Sequence, residues 1–144
     1  MDASTVDPVH LSEVISHSTA PAFLLGAVSG FVAVLMGRMN GVIDRIRSVN
    51  AIPDTDPDRS HLRSDLPRLK RRAKLMNEAI FLAVGSAICT TLLVISAFVS
   101  AFLGLRHEPG AAALFVLALA LMCAALVALA LEVRIALTEH EHHG

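Results

Sequence analysis

Charge leaves three stretches of this chain untouched. From 18 to 37, from 79 to 105 and from 111 to 131 there is no Asp, Glu, Lys or Arg. A hydrocarbon core about 30 Å thick is crossed by roughly 20 helical residues rising about 1.5 Å each. The second and third runs meet that length outright; the first is shorter and richer in Gly. Lipid offers no partner to an exposed backbone amide, so each run is expected to be a helix. The pattern predicts an all-α integral membrane protein with spans at about 18–38, 79–105 and 111–132.

Between the first two runs the pattern becomes amphipathic. Met39, Val42, Ile43, Ile46 and Val49 recur at helical spacing, with Arg38, Asn40, Asp44, Arg45 and Arg47 elsewhere around the wheel. The stretch "PDTDPDRS" at 53–60 carries the signals of a polar turn. Beyond it Leu66, Leu69, Ala73, Met76 and Ile80 alternate steps of three and four, and Pro67 suits a first helical turn. The first span is therefore expected to run on into water without stopping, and the second to begin before the membrane. The two extensions predict an antiparallel helical hairpin at about 39–78, apolar seam against apolar seam.

Charge sets the expected orientation. Of the 12 Lys and Arg residues, all but Arg106 and Arg134 fall between Arg38 and Lys74. The positive-inside bias places that hairpin and the C-terminus in the cytoplasm and the N-terminus outside. The expected organisation is a polar extracytoplasmic arm at 1–17, a three-span membrane domain at 18–137 and a His-rich cytoplasmic tail at 138–144. The first run lacks a preceding basic region, having Asp2, Asp7 and Glu13 instead, so it is expected to remain in the mature protein. Cys89 and Cys123 fall within spans, as small apolar packers. Trp and Tyr are absent, so no aromatic belt marks the interfaces.

Small residues form rows. Ala22, Gly26, Gly30, Ala33, Gly37 and Gly41 line the first span, and Gly26-x-x-x-Gly30 is the spacing that lets helices approach closely in lipid. In the third span Ala120, Ala124, Ala128 and Ala136 step by four, with Glu132 between the last two. Gly26, Gly30, Ala33, Gly37, Gly41, Ala124 and Ala128 are the candidate packing positions. Four charges share one depth: Arg38 closes the first span, Glu78 opens the second, and Glu132 and Arg134 close the third. A charge in hydrocarbon costs several kcal/mol unless paired or snorkelled. Either each snorkels to the headgroups, or they form a paired layer at the cytoplasmic boundary with Arg38–Glu132 as the favoured bridge.

Arg68, Lys70, Arg71, Arg72 and Lys74 cluster just before the second span and are candidates for anionic headgroup contact. Without interleaved aromatics they do not read as a nucleic-acid surface. The tail His140, His142 and His143 is loosely spaced, and His10, His17 and His107 fall on the other side of the membrane, so no metal or other cofactor is expected. Thr90, Thr91, Ser96 and Ser100 are the mid-span polar residues, of a kind that bonds the preceding turn. No catalytic constellation stands out.

"APAFLLGAVSGFVAVLMGRMNGVIDRIRSV", "RLKRRAKLMNEAIFLA" and "EVRIAL" resemble, in that order, the spans of a widespread family of small bacterial membrane proteins defined only as a domain of unknown function. The likeness covers about residues 20–137. It implies three spans, a bacterial inner membrane, and Arg38, Asp44, Arg45, Arg47, Arg72, Glu132 and Arg134 as family-like positions; it implies no activity. Two readings follow. One is a non-enzymatic, self-associating scaffold or regulatory subunit, with other membrane proteins as possible partners. The other is a homo-oligomeric pore whose charges line an ion path, since three helices are too few to enclose one alone.

Overall fold

The computed structural model describes residues 7–105 and 108–141. Three long helices account for nearly all of them: α1 (Pro8–Asn50), α2 (Leu66–Leu103) and α3 (Glu108–Glu141). Their 43, 38 and 34 residues correspond to about 64, 57 and 51 Å at about 1.5 Å per residue. Each is longer than a bilayer core is thick, and each contains a stretch apolar enough to cross a membrane. The chain is thus a multi-pass membrane protein.

α1 begins ten residues before the expected span (Pro8 rather than 18). The expected polar arm is helical from Pro8 because Asp7 caps it, its carboxylate accepting from the Val9 amide at 3.1 Å, while Pro8 occupies the first turn. At the other end α1 crosses Arg38 unbroken and stops at Asn50. The turn after it is tied down. Arg63, in a short 3-10 helix at Ser60–Asp65, donates to the Ile52 carbonyl at 2.9 Å and pairs with Asp54. Ile52 is buried beneath them. Pro67 sits in the first turn of α2, where its missing N–H has no helical partner to lose. α2 ends on Gly104, whose φ of 66° closes the helix in the left-handed region, with the Leu105 amide donating to the Ser100 carbonyl at 3.0 Å.

α2 is the central helix: α1 and α3 each pack along it and scarcely touch one another. The α1–α2 seam is the predicted hairpin continued into the span. Buried residues of α1 recur every seven positions, at Pro21, Val28, Leu35, Val42 and Val49, the repeat that keeps a seam facing its partner in a left-handed supercoil. Toward the Arg-rich end Leu35, Val42 and Val49 meet Leu69 and Met76, flanked by Met39, Ile46, Leu66, Ala73 and Ile80. The α2–α3 seam is built from smaller residues. Ala79, Ala83 and Ser86 of α2 and Ala118, Ala125 and Ala128 of α3 are all buried. That thinness lets the backbones approach, and the Ser86 hydroxyl donates across to the Ala118 carbonyl at 2.7 Å.

Candidate functional site: a buried charge node

Where the apolar runs give way to the Arg-rich end, one side chain from each helix meets. Glu132 of α3 is fully buried. Arg38 of α1 donates to its Oε2 from Nη2 at 2.6 Å and from Nε at 3.2 Å. Arg72 of α2 donates from Nε to Oε1 at 2.9 Å. Each carboxylate oxygen is thereby held by a guanidinium from a different helix. Neither pairing is local in sequence, so the node forms only when all three helices are docked. A lone carboxylate at this depth would cost several kcal/mol, and two charge-assisted contacts offset that penalty. The Arg72 side chain is 16% exposed and that of Arg38 37%, so the node is covered more closely on the α2 side than on the α1 side.

The sequence placed Arg72 among the headgroup contacts; its position corrects this. Arg68, Lys70, Arg71 and Lys74 are exposed, whereas Arg72 turns inward to Glu132. The signal was available, because Leu69, Arg72 and Met76 step by three and four as well as Leu69, Ala73 and Met76 do. Conversely, Glu78 and Arg134 do not join the node, and in the register that sets Arg72 against Glu132 and Ser86 against Ala118, Glu78 falls between those two levels, toward the apolar run. Glu78 is exposed and lies 3.9 Å from Lys74 on its own helix. Arg134 is exposed, since two residues rotate it about 200° around α3 from Glu132. Asp44 and Arg47 pair loosely at 3.8 Å on the outside of α1, near exposed Arg45.

The small-residue rows divide. Ala22, Gly26, Gly30, Ala33, Gly37 and Gly41 are all exposed, the middle four on the face of α1 opposite its core and Ala22 and Gly41 on its flanks. A Cβ built on any of the four glycines meets nothing within 4 Å. This face packs on no helix of its own chain. On α3, Ala128 is buried but Ala124 is exposed, and Ala125 takes its place. A pure four-residue step advances about 40° per step, so the row winds off the seam, while Ala118, Ala125 and Glu132 at seven-residue steps stay on it.

Of the mid-span hydroxyls, Thr90 and Thr91 donate to the carbonyls of Ser86 and Ala87, both at 2.8 Å, and Ser96 to that of Leu93 at 2.8 Å. Ser86, which the sequence reading passed over, is the one that joins two helices. Among the described residues no group of three His, Cys, Asp or Glu side chains converges as a metal site would require. His10 is exposed and His17 lies beside Glu13 at 3.8 Å on α1. Arg106, His107, His142 and His143 lie outside the described residues, as does the side chain of His140.

Residues 18–141, spanning the node and all three helices, match the sequence model of a family described as a protein of unknown function (DUF2721). No curated protein and no solved structure matches the chain.

Proposed function

Since the chain belongs to this family of unknown function, we propose its role from its own residues: a non-enzymatic membrane protein that self-associates and serves as a scaffold or regulatory subunit. We place it in a bacterial inner membrane, with the Arg-rich hairpin and the C-terminus in the cytoplasm, on the strength of the resemblance and the distribution of Lys and Arg. The observation that carries the reading is the burial of Glu132. An ion path lined by this charge layer needs its charges open to water, and Glu132, the fully buried carboxylate among the described residues, is closed between two guanidiniums. The other buried polar side chains among the described residues are likewise satisfied, Ser86 by the Ala118 carbonyl across the seam and Thr90 by the Ser86 carbonyl of its own helix.

Self-association is supported by a contrast between outer faces. Those of α2 and α3 carry Phe81, Ile88, Leu92, Leu117 and Val127, residues suited to lipid. The outer side of α1 also exposes Phe23, Val34 and Met36, but these alternate with Gly26, Gly30 and Gly37, which leave gaps between them. Small residues suit a helix that approaches another backbone, and the occupant proposed is α1 of a second copy. Gly30→Leu tests this cleanly, because nothing in its own chain lies near the added side chain. The variant should fold as the parent does and shift the detergent-solubilised protein to monomer. An unchanged oligomer would reject this face. Conductance measured in a planar bilayer on the same preparation decides the larger question: the scaffold reading predicts none, and a conductance abolished by Glu132→Gln would overturn it in favour of the pore.

A further inference from the structure

On the side of the α2–α3 pair away from α1 runs an open groove lined by Arg71 and Leu75 of α2 and by Leu131, Arg134, Ile135 and Thr138 of α3. Its composition is segregated. Leu75 and Leu131 lie toward the apolar run, and the two arginines lie at its boundary. The antiparallel register that sets Ser86 against Ala118 and Arg72 against Glu132 also brings Arg71 level with Arg134. Both guanidiniums are exposed, and neither has a hydrogen-bond or ion-pair partner among the described residues. Their neighbour Arg72, one position away, is by contrast turned into the node.

We propose that this groove binds one anionic phospholipid, its phosphate held between Arg71 and Arg134 and one acyl chain laid over Leu75 and Leu131. Two guanidiniums on one level can share the oxygens of a phosphate, each through its planar fork of donors. An isolated phosphate would use the arginines but gain nothing from the aliphatic wall beneath them; a lipid uses both. The position fits a lipid already in the leaflet, since the groove opens sideways at the end of the apolar run. The site requires only that the chain sits in a bilayer and does not depend on self-association, so the two proposals can fail separately.

Native mass spectrometry of the full chain, released from micelles containing equal amounts of phosphatidylglycerol and phosphatidylcholine with the same acyl chains, tests it. The wild type should retain one phosphatidylglycerol per chain in preference to phosphatidylcholine. The double variant Arg71→Gln, Arg134→Gln should lose that retention at least about tenfold. Arg68→Gln with Lys70→Gln removes the same charge from exposed positions outside the groove and should leave it intact. Ile135→Trp, which fills the groove without changing charge, should also abolish it, and helical circular dichroism confirms that each variant is folded. Equal retention in the arginine double variant would overturn the site. Equal loss in the Arg68, Lys70 control would reduce it to diffuse charge attraction, and displacement of the lipid by millimolar inorganic phosphate would show a site for the free anion instead.

Discussion

Two glutamates lie toward the Arg-rich half of this bundle and are treated in opposite ways. Glu78 sits on the outer side of α2, half exposed, with Lys74 3.9 Å away one turn earlier. Glu132 sits on the inner side of α3, fully buried, with guanidiniums from two other helices on its two oxygens. The first pair is made by neighbours in one helix and exists whether or not the bundle forms. The second is made only by docking. What separates them is the face each occupies, Glu78 turned outward on α2 and Glu132 turned inward on α3. Charge at a membrane boundary is therefore informative only together with the face it occupies.

Breaking the buried node gives the largest expected effect. Glu132→Ala leaves Arg38 and Arg72 facing each other without the carboxylate, and loss of one partner from a buried ion pair costs about 3–5 kcal/mol. Equilibrium unfolding in mixed micelles should show a loss of that order, or no folded protein at all. Arg72→Gln should cost more than Arg38→Gln, because Arg72 is the more buried of the two; the smaller loss is expected in the range of a hydrogen bond to a charged group, about 1.5–3 kcal/mol. Equal losses would mean that exposure does not grade the node.

Ser86→Ala sharpens the comparison from the neutral side. It removes the cross-helix bond to the Ala118 carbonyl while leaving the tight seam, and interhelical hydrogen bonds in membranes average about 0.6 kcal/mol. The same unfolding assay should show a loss below about 2 kcal/mol. The smallest effect belongs to the surface pair: Glu78→Gln should change stability by no more than about 0.5 kcal/mol, and added salt should shrink what difference there is. A Glu78 variant as damaging as a Glu132 variant would dissolve the distinction.

Much of this was readable in the chain. Runs without charge give the helices because lipid forces backbone bonds to close internally. The hairpin seam, from Met39 to Val49 and from Leu66 to Ile80, follows from helical period alone. Depth makes Arg38–Glu132 the favoured bridge, since both close their spans on one side, but leaves open whether each charge instead snorkels to the headgroups. What escaped was rotation. A run of charges such as that at 68–74 hides that Arg72 is the member that faces inward. The four-residue step through Ala124 looks regular in sequence but drifts around the helix in space, so Ala125 rather than Ala124 lies on the seam. The helical start at Pro8 escaped for a different reason: polar residues there obscure the Asp7 cap, which is a single hydrogen bond. The glycine row was visible, but sequence does not say whether such a face meets its own chain, and here it does not.

A carboxylate on α3 held by arginines of the other two helices locks the bundle. A double-mutant cycle on Arg38→Gln and Glu132→Gln, read by unfolding in mixed micelles, tests it most directly. The node predicts a coupling energy of at least about 1.5 kcal/mol, the lower end for a hydrogen bond to a charged group. Two losses that add to within about 0.3–0.5 kcal/mol, as independent sites do, would contradict it.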